Sequence, residues 1–522
     1  MRRLVLLLSI FALTACTTGT TPNEPQGSRT DSTGSVGLRV MESTPPESAP
    51  QESQGPWTSP DGTLIPDRTV DELGYRLPLD IRRPRAPRAP SSPPARWRWT
   101  QARELAGGSP FPEQRLGPDE RHTQNETSID AEGSTLVAGW NQFTDTSLVM
   151  GVARSADGGQ TWSSELFDGH DAMSDPVIQA GGSDRWYYAY IASGGVGGSD
   201  FEVYVRRSLD DGLTWQAPVP VTTNGSFDDK PYMAADGDQV LVAYADFSFS
   251  PAKVRTARSL DGGQTFANDT ILANNSVGGN GASPVIAPDG TYHVFWRDSF
   301  QQSLWISTSD NQGTTWSTDA AIVDMNPLPS TLPGGFRIVN LPSGAAHPVT
   351  GDLVVVWNDQ LFGNPDILSI RSTDGGQNWS SPIRVNDDMG SDAQFFPWIT
   401  FDTDGTAYVV WYDRRQNGSD IDVYIAWSTD GGQTYQENVR VTGAGFAPVL
   451  PWEGHAATFI GDYNGIAAAG GTAYPFYQDA RSGIQDVYVA AVPGSALVFE
   501  DGFESGDVSS WSSSRRNQGL IN

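Results

Sequence analysis

RSADGGQTW, residues 154–162, decides the fold, because the chain repeats it. It returns as RSLDDGLTW from Arg207, RSLDGGQTF from Arg258, RSTDGGQNW from Arg371 and STDGGQTY from Ser428. A divergent copy, SDNQGTTW from Ser309, carries Asn311 in place of the acid. The key positions are therefore Asp157, Asp210, Asp261, Asn311, Asp374 and Asp430, at intervals of 53, 51, 50, 63 and 56 residues. A period near fifty residues marks one supersecondary unit used many times, each burying its apolar face against the next.

The unit can be read locally. Ser and Asp side chains accept hydrogen bonds from backbone N–H groups just downstream and close a tight turn. The alternating run before each copy, such as Asp422 to Ser428 (DVYIAWS), is a strand. Each copy thus reads as a hairpin turn between strands, and its final aromatic as a plug in the seam to a neighbouring unit. If the Trp162 ring is fully buried, removing it costs about 3–5 kcal/mol.

This frame resembles the Asp-box, or BNR, repeat of bacterial sialidases and related propeller proteins. The resemblance covers roughly Asn125 to Pro493, and it implies a β-propeller. The fold class is all-β, with blades of four strands over residues 125–493. Unit six shows the pattern: Phe396 to Gly405, Ala407 to Arg415, then Asp422 to Ser428 and its box. A seventh unit, Phe459 to Val492, has no box and only three strands. A ring closes if its fourth strand comes from the other end of the chain, with the alternating Ala95–Gln101 as the candidate. Seven blades is therefore the expected number, with a six-bladed ring as the alternative.

The flanks have their own chemistry. Arg2 and Arg3 precede an apolar run, Leu4 to Leu13, too short to span a bilayer. It ends in LTAC, Leu13 to Cys16, which resembles the bacterial lipobox. The resemblance implies that residues 1–16 are a signal peptide, with cleavage before Cys16 and lipidation of that residue; the alternative is an ordinary secretory signal with an incidental Cys. Cys16 is the single Cys, so no disulfide forms within the chain. Thr17 after it favours the outer membrane if the source is Gram-negative. Residues 17–60, rich in Ser, Thr, Pro, Gly and Glu, read as a disordered tether. Residues 61–124 are a Pro- and Arg-rich lead-in, including Arg82 to Pro90 (RRPRAPRAP), and 494–522 a mobile tail.

The net charge of −29, from 62 acidic and 33 basic residues, argues against nucleic acid as a partner. It suits an exported protein and leaves room for cation sites. No cofactor is required by any motif, and calcium is a candidate at an acidic mouth.

Internal repetition also sorts structure from function. The box residues recur and therefore serve the blade. Propeller ligands meet the opposite face, where first strands begin and second strands end. Second strands end in a recurring acid, Asp246, Asp298, Asp359, Asp413 and Asp479, whose default role is to cap a loop. The residues that break the pattern are Arg297, Arg414, Arg415 and Arg481 beside those acids. At first-strand starts they are Glu126, Asp175, Asp228 to Lys230, Arg337, Gln394 and Gly461 to Tyr463. The candidate ligand set is Arg297, Asp298, Arg337, Asp413, Arg414, Asp462, Tyr463 and Arg481. Asp462, Tyr463 and Arg481 are expected to share solvent at the mouth of the boxless unit.

The sialidase resemblance implies three Arg residues gripping a carboxylate, a Tyr nucleophile helped by a Glu, and an Asp acid/base. An Arg-Ile-Pro motif should precede the first box. Tyr75 to Pro78 (YRLP) and Phe336 to Val339 (FRIV) approach it without matching, and no Tyr–Glu pair can be assigned. The catalytic residues are accordingly unknown. The leading expectation is a surface lipoprotein whose propeller binds glycan or another extracellular ligand. The alternatives are an exo-glycosidase of sialidase type and a structural propeller holding protein partners. A glycan array and a sialoside assay separate the three.

Overall fold

The computed structural model describes residues 97–98 and 111–494, with breaks at 119–121, 145–146, 168, 171, 194–200, 223–226, 273–274, 299, 301 and 450–457. The expected signal peptide, Cys16, the tether, the Arg82–Pro90 run and the tail from 495 lie outside the described residues.

All named elements are strands, and they form seven antiparallel sheets in chain order. Each begins with an inner strand: Gln124–Glu132, Met173–Gly182, Asp228–Asp236, Asn280–Ile286, Ser343–Ala346, Gln394–Phe401 and Gly465–Ala469. These seven lie against one another around the ring, so they line its centre. The protein is a seven-bladed β-propeller of four-stranded blades.

The second strands read as near-continuous apolar runs because both their faces are covered. Leu353–Asp359 (LVVVWND) and Ala407–Asp413 (AYVVWYD) are buried throughout. Their Trp donates to the acid that ends the strand: Trp357 Nε1 to Asp359 Oδ2 at 3.1 Å, Trp411 Nε1 to Asp413 Oδ2 at 2.8 Å. In blades five and six the recurring acid thus satisfies a buried indole, which keeps the large ring from burying an unpaired polar group.

The apolar core falls into seven clusters, one per seam between blades. Six of them carry a box aromatic: Trp162, Trp215, Phe266, Trp316, Trp379 and Tyr435, each packed on the seam between its own blade and the preceding one. These rings are half-buried rather than enclosed. Trp162 also spends its N–H on Gly159 O at 3.1 Å, so it roofs the seam instead of filling it. The seam between blades six and seven lacks a box aromatic. Phe336, Ile338 and Phe446 fill it instead.

The ring closes through Glu113–Arg115, which pairs with Asp486–Ala490 as the outer strand of blade seven. Trp97–Arg98, in the stretch expected to do this, pairs instead with Ser163 and Ser164 at the outer edge of blade one. Alternation correctly marked a strand there, but edge position, which alternation does not encode, chose its partner.

In each box the Ser hydroxyl bridges Asp and backbone. Ser155 Oγ donates to Asp157 Oδ1 at 2.8 Å and accepts from Gly159 N at 2.9 Å, while Thr161 N and Oγ1 donate to the carboxylate at 2.8 and 2.6 Å. The same geometry recurs at Asp210, Asp261, Asp374 and Asp430.

Candidate functional site at the channel mouth

The inner strands share a second device, invisible as a sequence motif. Between first and second strands the register slips at Asn125/Ser128, Ser174/Val177, Asp229/Tyr232, Asn280/Ser283 and Phe395/Trp398. Inside each bulge one residue adopts positive φ: Glu126 (53°), Asp175 (57°), Lys230 (52°), Gly281 (65°) and Phe396 (55°). For a side chain other than Gly this conformation costs of order 1 kcal/mol, and it persists only where the surroundings enforce it. The backbone is constant and the side chain varies, so this position presents residues to the centre.

Three of those residues meet. Lys230, fully buried, places Nζ 3.2 Å from Glu126 Oε1, 3.0 Å from Asp175 Oδ1 and 2.8 Å from Asp462 Oδ2. Asn141 Nδ2 donates to Glu126 Oε2 at 2.6 Å, and Tyr463 Oη to Asp175 Oδ1 at 3.2 Å. Asp229 lies in the same closed space. Burial pulls the Lys230 ammonium down, but Asp175, Asp462, Glu126 and Asp229 together hold it well above its ordinary range. Burial pushes Glu126 up to about 8, with Asp175 and Asp462 adding to it. Asp229 also rises to about 8, through burial and then Asp175. Beneath the cage, Tyr463, Tyr232 and Trp398 pack edge to face and tilted, with centroids 5.1–6.1 Å apart. Trp398 of blade six reaches Tyr232 of blade three, so the rings close the channel from opposite sides.

The 326–342 connection between blades four and five accounts for the longest repeat interval, and it crosses the mouth. Its tip is a tight hairpin, with Thr331 bridged to Arg337 and Leu332 bonded to Phe336. Leu332, Phe336 and Ile338 sink into the seam between blades six and seven. Arg337 then forks onto Asp462, Nε to Oδ1 at 2.9 Å and Nη2 to Oδ2 at 2.5 Å, and lies over the Phe459 ring at 5.0 Å. Its side chain stays 24% exposed, so a cation reaches the mouth surface. The crossing needs Gly281: a Cβ there would meet Leu341 Cδ2 at 2.8 Å.

The sequence candidates separate accordingly. Asp462, Tyr463 and Arg337 come together, with Glu126, Asp175 and Lys230 from the first-strand pattern-breakers. Arg297 bonds Asn340 of the crossing segment, and burial lowers its pKa to about 10. Arg414 donates to Pro333 O at 2.7 Å, so it too anchors that segment. Asp298 caps a loop through Val277 N at 2.6 Å and Phe300 N at 2.8 Å. Asp413 accepts from Trp411 and from Arg415 N at 2.8 Å. Arg481 does not share the mouth with Asp462. It pairs with Asp479 and with Glu113 of the closing strand, Nη2 to Oε1 at 2.7 Å. Proximity in sequence suggested the Asp462–Arg481 grouping, but Arg481 follows a second strand and points to the blade's outer neighbour. Asn141, Tyr232 and Trp398 belong to the mouth without having been singled out. They sit within ordinary strand patterns, and only the bulge register aims Tyr232 and Trp398 inward.

The carboxylates of Glu126, Asp175 and Asp462 converge on Lys230, so the chain supplies its own cation at that point. Among the described residues no group of three or more His, Cys, Asp or Glu side chains could hold a metal ion.

Residues 168–406 match the BNR repeat-like domain. This BNR repeat-like segment runs from the end of blade one to the first turn of blade six. No curated protein matches the chain. Among solved structures, a protein of unknown function from Dyadobacter fermentans shares 17% identity over 59% of this chain and 96% of that one, with a TM-score of 0.41. A Hadza microbial sialidase shares 15% over 74% and 68% (TM-score 0.40), and a leech intramolecular trans-sialidase 14% over 73% and 70% (0.41). No activity passes to the chain from likenesses this distant.

Proposed function

We propose that the propeller is a binding protein that holds a ligand of the glycan class at the channel mouth and does not cleave it. The observation that carries the non-catalytic half is the setting of Tyr463. Its phenol is buried, donates to Asp175, and is pushed well above its ordinary pKa by burial and then by Asp175 and Glu126. An attacking phenol needs the opposite environment, one that lowers its pKa and leaves it open to substrate. The binding half rests on a fixed, partly exposed Arg337 fork over the cage and on the exposed rings of Phe249 and Phe300 on the same face. Rings offer faces to sugars, and a held guanidinium offers hydrogen bonds to hydroxyl or anionic groups. No cofactor enters this reading.

The test uses the full chain with Cys16→Ser on a glycan array and against a fluorogenic sialoside. The expected result is retention of an acidic or polyhydroxylated glycan, weakened at least tenfold by Arg337→Ala, with no turnover. Turnover that vanishes in Arg337→Ala would replace binding by sialidase-type hydrolysis. An empty array with a stoichiometric protein partner would favour the assembly reading.

We also propose that the protein is exported and held at the envelope, in the outer membrane if the cell is Gram-negative, through lipid on Cys16. The three chains that a lipobox implies would give firm attachment where one acyl chain gives a marginal one. Mass spectrometry of the mature N-terminus decides this: an unmodified Cys16 thiol removes the anchor.

A further inference from the structure

We propose that the Lys230 cage is a proton-operated clamp that ties blades one, two, three and seven together in mildly acidic and neutral solution and loosens in alkali. The geometry comes first. Glu126 (blade one), Asp175 (blade two), Asp229 (blade three) and Asp462 (blade seven) are each no more than 2% exposed. Among the described residues, the cations that pair with them are Lys230 and Arg337. Arg297 is the next cation felt by Asp462, and its charge is shared with Asp298. The phenols of Tyr232 and Tyr463 that face the group are neutral, both pushed upward by burial and then, for Tyr463, by Asp175. Four carboxylates against two cations leave an excess of two negative charges in a closed space. Buried charge without a partner is costly, so the closed cage keeps protons that water would remove.

The same four blades are held by this excess only while the protons stay. Glu126 and Asp229 are the acids with raised values, both near 8, against ordinary values of 4.5 and 3.8. Between those limits the folded chain binds more protons than the unfolded one, so stability falls as pH rises, and the loss is complete above about 8. The backbone adds leverage. Glu126, Asp175 and Lys230 sit at positive φ, a strained conformation that the cage contacts hold in place. Loosening the cage therefore frees the starts of three inner strands at once, on the face where the mouth lies.

The experiment is thermal unfolding of the full chain (Cys16→Ser) from pH 5 to 9, compared with Glu126→Gln, Asp229→Asn and the double variant. The wild type should lose about 5 °C more than the double variant between pH 6 and 9. Each single variant should lose an intermediate amount, and the double variant should be the more stable protein at pH 9. Parallel curves, with the variants merely offset, would overturn the proposal, since a purely structural role shifts Tm equally at every pH. Should a variant not fold, infrared spectra of the wild type decide the point. A protonated-carboxyl band still present at pH 7, where Asp130 (raised only to about 6) is largely ionised, and lost by pH 9 without unfolding, is expected, and its absence at pH 7 sinks the clamp.

Discussion

Asn311 does with an amide what five other copies of the box do with a carboxylate. Its Oδ1 accepts from Thr315 N at 2.9 Å, and its Nδ2 donates to Thr315 Oγ1 at 2.8 Å, so the hydroxyl turns from donor to acceptor and the turn survives. The box therefore needs a planar acceptor of this length rather than a negative charge. At Asp261, Asn should be nearly neutral and Ala should cost about 1 kcal/mol, the net worth of the turn's hydrogen bonds at an exposed site. Urea midpoints check this, and equal losses for Asn and Ala would refute it. The pH dependence has a definite sign. Against the small cost of burial, the hydroxyls of Ser259 and Thr265 and two backbone N–H groups hold Asp261 down to about 2, from 3.8. Its contribution is full above pH 4 and fades as pH falls through 2, and Asp261→Asn should remove that fading. This chemistry was legible because Ser, Asp, Gly and Thr act on neighbours within four residues. Lys230 was legible only as an oddity at a first-strand start. Its partners lie 104 residues before it, 55 before it and 232 after it, and nothing in the sequence pairs them.

Among the elements, the crossing segment was foreshadowed by a single number, the 63-residue interval from Asn311 to Asp374. Its extra length could be counted, but its destination could not, since Arg337 meets Asp462 across 125 residues. What sends it there is a row of apolar residues, Leu332, Phe336 and Ile338, that fits the one seam with no box aromatic. Gly281 is the hinge of this arrangement, because it alone of the five bulge residues has no side chain to meet Leu341 and Pro342 of the crossing segment. Gly281→Ala should cost about 2–3 kcal/mol, from positive φ and from the 2.8 Å approach to Leu341. It should also speed amide exchange over 337–341 while leaving the box turns protected. Exchange unchanged in that segment would show that the crossing is held elsewhere. The box aromatics yield a smaller effect than full burial implies: Trp162→Ala should cost about 2 kcal/mol, since a half-buried ring loses part of its contact area. A loss above 4 kcal/mol would mean the ring carries the seam alone.

For the molecule as a whole, ring closure is the decisive event. Six boxes and a boxless, three-stranded seventh unit announced seven blades and a borrowed strand, because both are matters of counting. The identity of that strand was not legible: EQR, residues 113–115, is too short and too polar to stand out, whereas ARWRWTQ alternates and does. The structure explains how so short a strand suffices. Glu113 receives Arg481 Nη1 and Nη2 at 2.9 and 2.7 Å and Tyr477 Oη at 2.5 Å, while Arg481 also holds Asp479 and lies 5.2 Å over the Tyr488 ring. A carboxylate on the borrowed strand is thus gripped by a bidentate guanidinium from the blade it completes, with both groups largely shielded from water. Removing Arg481 strands two shielded carboxylates, Glu113 and Asp479, so Arg481→Met should lower stability by about 2–4 kcal/mol, whereas Glu113→Gln, which leaves Arg481 on Asp479, should cost less, about 2 kcal/mol. The double variant should lose no more than Arg481→Met alone, a coupling of about 2 kcal/mol in a double-mutant cycle. Ligand affinity at the mouth should not change in Arg481→Met, in contrast to Arg337→Ala. Additive losses would show that the strand is held by its backbone ladder alone, and a weakened ligand in Arg481→Met would return that residue to the binding site.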